Sequence, residues 1–198
     1  MSLKTGLLGG TFDPPHDGHT ALAQAARRGL GLDEVLLVPA FQNPLKEARP
    51  KASARDRLRM CSLAVADEEG LAVCDVEIVR RGFSYTVDTL DDLANVRPAE
   101  YWLILGVDAL RGFPRWKQPA KILRLCRLAV AAREGESVDE AIRGWDPDWR
   151  ARVDTVPMPN VPVSSSKIRD ELARGRDFDL PLSPGVLAYI RENGIYRP

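Results

Sequence analysis

The chain has 198 residues, 44% of them hydrophobic and 28% charged, and its 28 lysines and arginines are matched by 28 aspartates and glutamates. That is the make-up of a soluble globular protein with room for one domain and a real core. Zero formal charge excludes the whole-molecule field by which a nucleic-acid binder recruits many phosphates, so an anion site has to be local.

The opening MSLKTGLLGG is too short and too polar for a signal peptide, and no run reaches the ~20 apolar residues of a membrane span. The expectation is a cytoplasmic protein with neither membrane nor nucleic-acid partners; self-association into a homo-oligomer stays compatible with the sequence. Cys61, Cys74 and Cys126 sit in apolar segments without metal or redox spacing, which predicts buried free thiols.

In chain order, LKTGLLG (3–9) reads as a buried strand and HTALAQAARRGL (19–30) as an alanine-rich helix ended by Gly31. EVLLVPA (34–40) is a second strand. Residues 52–67 form a helix with Leu58, Cys61, Leu63, Ala64 and Val65 on its apolar face. LAVCDVEIV (71–79) alternates like a strand near a sheet edge. Residues 85–96 are helical, YWLILGVD (101–108) is a buried strand running into a loop, 120–126 is a helix, and 127–133 and 152–158 are strands. Residues 136–152 look like a loop. This alternation predicts an α/β fold, a parallel sheet covered on both faces. Two further helices follow, at 164–175 and 183–194, the second with Ser183 as N-cap, Pro184 at its first position and Gly194 past its end.

The stretch GGTFDPPHDGH (9–19) connects the first strand to the first helix and holds both histidines of the chain. Glycines let a ligand approach the backbone, and free amides at a helix start favour an anion. The loop matches neither GxxxxGK[ST] nor GxGxxG. Its imidazoles, His16 and His19, are spaced to reach one oxyanion; capping by Asp17 with solvent-exposed histidines is the plainer alternative. Zinc is disfavoured, because no third ligand type clusters nearby. The serine run before KIRDELARG offers a second anion-binding helix start, with Arg169 one turn in and able to hold an oxyanion in bidentate fashion. Ser164 or Ser165 could also act simply as its N-cap.

GGTFDPPHDGH resembles the HxGH signature of the nucleotidylyltransferase superfamily, and VPVSSSKIRDELARG resembles its second signature, ISSTxIR, in the form found in nicotinate mononucleotide adenylyltransferases. The resemblance covers nearly the whole chain. It implies a Rossmann-like doubly wound parallel sheet over residues 1–163, with residues 164–198 a small C-terminal helical extension of the same domain. It also implies transfer of AMP from ATP to nicotinate mononucleotide, giving deamido-NAD and pyrophosphate.

By position it makes His16, His19 and Arg169 catalytic. Gly9, Gly10, Thr11, Phe12, His16, His19, Gly106, Asp108, Arg133, Ser166 and Arg169 become ATP-binding. PAFQNPLK resembles the family element that brings a lysine, here Lys46, to the acceptor phosphate. SYTVDTL resembles the segment whose amides, at Tyr85 and Thr86, receive the pyridine carboxylate, and Trp116 would stack on the pyridine ring. Many relatives follow that tryptophan with an aromatic; here Lys117 stands there.

Direct attack of an ionised acceptor phosphate on the α-phosphorus needs positioning and charge neutralisation more than a base. The implied Mg²⁺ would be held mainly by ATP phosphates, since no carboxylate cage is visible. Nicotinamide mononucleotide is the rival acceptor, and a nucleotide-binding regulatory module without turnover is the rival class.

Overall fold

The computed structural model describes residues 2–46, 48–133, 135–158 and 163–197; Glu134 of AAREG, and Val161 and Pro162 ahead of the serine run, lie outside that set. The strands are β1 (Lys4–Gly10), β2 (Glu34–Pro39), β3 (Leu71–Val73), β4 (Glu100–Gly106), β5 (Cys126–Ala132) and β6 (Val153–Pro157). They form one six-stranded sheet in the order β3-β2-β1-β4-β5-β6, and every pairing is parallel.

Because successive side chains leave opposite faces of a strand, neighbours in these runs feed different layers. Leu7, Leu36, Leu103, Leu105 and Leu128 pack with α4 (Thr86–Val96) and α6 (Pro119–Leu125). Leu8, Val35, Leu37, Ile104 and Ala129 pack with Ala23 and Ala26 of α1 (Asp17–Leu30) and with Cys61 of α2 (Ala54–Ala64). This is the doubly wound arrangement expected. Among the described residues, no helix is long and apolar enough to cross a membrane.

Four local expectations are corrected. β3 is an edge strand as expected, but it has only three residues; VEIVR turns instead into α3 (Val76–Arg80). The fourth strand stops at Gly106 and enters α5 (Val107–Gly112) directly, so Asp108 is helical. Residues 136–152 contain α7 (Val138–Ala141) and α8 (Pro147–Arg150), capped by Ser137 and Asp146; the tryptophans there pack rather than dangle. On α2 the buried face is Arg57, Met60, Cys61 and Ala64, because Arg57 turns inward to bond two backbone carbonyls, while Leu58 and Leu63 keep partial exposure. Of the thiols, Cys61 and Cys126 are buried and Cys74 only half-buried. Burial pushes the Cys126 thiol up to about 12, which leaves it inert.

The last two helices, α9 (Ser165–Ala173) and α10 (Pro184–Glu192), bury Ile168, Leu172, Val186 and Ile190 against Met60 and Ala64 of α2. Ser183 caps α10 and Pro184 opens it, as the sequence predicts, and Gly194 follows at φ 63°.

Gly6 shows why β1 can lie at the centre. A Cβ there would come within 2.8 Å of Val35, 2.9 Å of Ile104 and 3.0 Å of Leu32, all buried. Gly6→Ala should therefore destabilise the fold by about 1–3 kcal/mol through overpacking, read as a lower urea midpoint at unchanged m-value.

Candidate active site

Strand order reverses between β1 and β4, and a doubly wound sheet opens its ligand crevice at that point, beyond the carboxyl ends of the strands. The loop after β1 and the β4–α5 junction both line a cleft of about 680 Å³ there. It continues into a second chamber of about 570 Å³, and His19, Leu22, Gly106 and Ala109 line both.

Helix α1 starts at Asp17, two residues earlier than the periodicity suggests, so His16 is its N-cap and His19 lies in its first turn. The His16 amide donates to Nδ1 of His19 at 3.1 Å. With Nδ1 accepting, the neutral His19 ring carries its proton on Nε2. The two rings stack at 3.7 Å between centroids, and Phe12 meets the His19 ring edge-on at 4.8 Å. Phe12 is itself buried and packs over Gly10, where a Cβ would meet its ring at 2.8 Å. The absence of a Cβ at Gly10 thus leaves room for the ring that props His19. Around Gly9 a Cβ would meet nothing, and that residue borders the second chamber.

Burial pushes the His16 imidazole down from 6.5 to about 4, against a backbone hydrogen bond that raises it. Burial, and then the nearby charges of His16 and Lys46, hold His19 well below its ordinary value. Both rings are therefore neutral at pH 7, as stacking requires. Among the described residues, His16 Nδ1 and the Thr11 hydroxyl are buried without a hydrogen-bond partner, and both residues line the cleft. Unpaired buried polar atoms cost free energy, and a polar ligand would satisfy them.

The far-off serine motif arrives at the same cleft. Ser164 caps α9, its hydroxyl accepting from the Lys167 amide at 3.3 Å, and the Ser165 hydroxyl donates to the Pro14 carbonyl at 2.9 Å. The Arg169 guanidinium donates to the Asp13 carbonyl at 2.7 Å and to the Ser166 hydroxyl at 3.2 Å. Thr11, Phe12, His16, His19, Lys46, Gly106, Asp108, Arg133, Ser166 and Arg169 thereby share one cleft. Gly9, Gly10, Tyr85, Thr86 and Trp116 line the second chamber instead. Gly9 and Gly10 thus line the second chamber, and Lys46 lines the cleft with the histidines.

Trp116 is half-buried, leaning on Phe113 at 5.5 Å. Phe113 rests in turn on Trp145 at 5.6 Å and Trp149 at 6.1 Å. The supposed loop at 136–152 is thus a buttress beneath the second chamber.

Two contributors escape a reading by motif. Asp13, 5% exposed, accepts from the amides of Lys51 at 2.8 Å and Ala52 at 3.0 Å and from the Tyr196 hydroxyl at 2.8 Å. Arg57, 1% exposed, donates to the carbonyls of Thr11 at 2.7 Å and Phe41 at 3.2 Å. Among the described residues no group of three His, Cys, Asp or Glu side chains could hold a metal ion.

A cytidylyltransferase-like family model matches residues 7–171. A "probable nicotinate-nucleotide adenylyltransferase" from Dehalococcoides mccartyi is 40% identical over 200 residues, covering 99% of this chain and 98% of its own. One of the same name from Bordetella avium is 44% identical over 197 residues, covering 98% of each. The chain belongs to this family. Its fold is also that of the Plasmodium falciparum nicotinic acid mononucleotide adenylyltransferase complexed with NaAD, with a TM-score of 0.78 over 98% of this chain and 97% of the other at 18% identity.

The buried imidazoles make a prediction about pH. The unfolded chain takes up a proton on His16 near 6.5, the folded one only near about 4, so acid favours the unfolded state. The contribution is complete above pH 6.5 and is lost as the pH falls toward 4. His16→Asn should make the fall in urea-unfolding free energy over that window shallower by about 1.4 kcal/mol per pH unit; an unchanged slope would mean that the ring is not held neutral by burial.

Proposed function

We propose that this protein transfers the AMP moiety of ATP to nicotinate mononucleotide, releasing pyrophosphate and forming deamido-NAD. The observation that supports it best is the junction of the two motifs. Arg169 reaches the Asp13 carbonyl at 2.7 Å, so its remaining N–H groups, the imidazoles and the start of α1 stand around one cleft, with a second chamber joined to it. The names of the relatives agree with that reading.

The ATP phosphates take the larger cleft. Neutral His19 offers its Nε2 proton to an α-phosphate oxygen, and His16 stands nearer the attacking group. Arg169 and the Ser166 hydroxyl hold the β- and γ-phosphates, with Arg133, Gly106 and Asp108 toward the adenosine. Lys46 brings the acceptor phosphate to the junction of the chambers. One oxygen of that phosphate forms the new bond to the α-phosphorus while the bond to the β-phosphate oxygen breaks, and pyrophosphate leaves with the electron pair.

A phosphomonoester is already ionised near neutral pH, so the step needs alignment and charge stabilisation, not a base. The cationic and neutral donors here suit a triphosphate that arrives with Mg²⁺ on its oxygens, and that ion would supply further neutralisation of the leaving group. Trp116 receives the pyridine ring, and the helix start at Tyr85 and Thr86 faces its carboxylate with the Thr86 amide as donor, the Tyr85 amide being held by the Phe83 carbonyl at 3.2 Å. Residues 164–198 act as part of the same domain as 1–163, and the enzyme works in the cytoplasm.

Purified protein with ATP and Mg²⁺ should release pyrophosphate with nicotinate mononucleotide and do so with at least about tenfold lower kcat/KM with the amide analogue. Binding of ATP without dinucleotide formation from either acceptor would instead support a regulatory module. His19→Ala should lower kcat by at least ~100-fold, the scale of one lost transition-state donor. A near-normal kcat in steady-state assays would remove His19 from the mechanism.

A further inference from the structure

Two acids stand in or beside the second chamber, where an anionic guest would be repelled unless they are neutralised. Glu77, 7% exposed, lines it, its carboxylate accepting from the Thr89 hydroxyl at 2.6 Å. Asp88 sits in the first turn of α4, beside the Tyr85–Thr86 amides, where its charge competes for the positive helix end. Of the cations, Arg115 and Lys117 line the chamber. The Lys117 ammonium contacts both Asp88 oxygens, at 3.0 and 2.9 Å, and stands 4.4 Å from the centroid of the Tyr85 ring. It therefore ties the Trp116 wall of the chamber to the α4 wall. Both partners are more than a third exposed, at 40% and 36%, and such pairs add little to stability. Their effect lies in the local field.

We infer that Lys117 is a specificity-determining residue for the acceptor: by pairing with Asp88 it cancels the acidic charge beside the Tyr85–Thr86 helix start and leaves that end to an anionic substituent on the pyridine ring. The inference rests on the acceptor reading above. An aromatic at position 117 could stack but could not neutralise Asp88, so in this chain acid selection depends on a charge pair.

The test compares kcat/KM for nicotinate and nicotinamide mononucleotides in the wild type, Lys117→Ala, Lys117→Arg and the double variant Lys117→Ala/Asp88→Asn. Lys117→Ala should lower the acid-to-amide ratio about fivefold to tenfold, the scale of one uncompensated charge several ångströms away in a partly wet site. The loss should fall on KM for the acid, with KM for ATP unchanged. Lys117→Arg should keep the ratio within about twofold, because it keeps the charge. Removing Asp88 as well should restore the ratio, which a merely structural role for Lys117 would not predict. An unmoved ratio in Lys117→Ala, or no recovery in the double variant, overturns the inference while leaving the wild-type reaction intact. A wild type that uses neither acceptor overturns the functional reading, and this inference with it.

Discussion

Everything in the cleft depends on the burial of one carboxylate. An ion removed from water is costly unless each lone pair finds a donor. Asp13 meets that condition with two amides from 51–52 and the Tyr196 hydroxyl, and Arg169 lies 3.9 Å away. Its partners come from the segment before α2, from α9 and from the end of the chain. Satisfying the charge therefore draws three separate stretches around the loop after β1. Burial and the Asp13 charge push the Tyr196 phenol far above its ordinary range, so it stays a donor throughout any working pH.

Arg57 performs the complementary task from the other side. Its guanidinium satisfies the Thr11 and Phe41 carbonyls, fixing the loop where it turns at Phe12, whose φ is 49°. That turn buries the Phe12 ring under Gly10 and against His19. The orientation of the imidazole thus follows from packing and two buried charges of the chain itself. Preorganisation of this kind spares the reaction the cost of reorienting donors as charge develops.

How far the sequence foretold this varies with the range of the interaction. The sheet was legible because runs such as LLVP and LILG have no plausible fate except burial, and the irregular link from β1 to α1 because Gly-Gly, Pro-Pro and two histidines make neither strand nor helix interior. The end of β3 was not legible. LAVCDVEIV alternates well enough for a strand, but the pairing with β2 ends at Val73 and leaves the next residues free to coil into α3. Asp13 and Arg57 were hidden for a different reason. Each looks like an ordinary surface charge until partners 16 to 183 residues away are known. Trp145 and Trp149 were hidden likewise, since only contact with Phe113 separates a buttress from a loop.

The balance of charge over the whole chain also acquires a local meaning. A cleft crowded with fixed cations would hold a triphosphate and a departing pyrophosphate alike, and uniform binding of that sort does not raise turnover. Here the histidines are kept neutral by burial, and Arg169 spends two of its donors on Asp13 and Ser166. Beside the cations that line the cleft, Lys46, Arg49 and Arg133 among them, the attraction at the start of α1 comes from dipoles and neutral N–H groups, which act over short distances and in set directions. Such a cradle favours the geometry in which charge is moving over mere proximity to charge. On the proposed reaction, that bias falls on the α-phosphorus, where His19 is held by Phe12 and by the His16 amide.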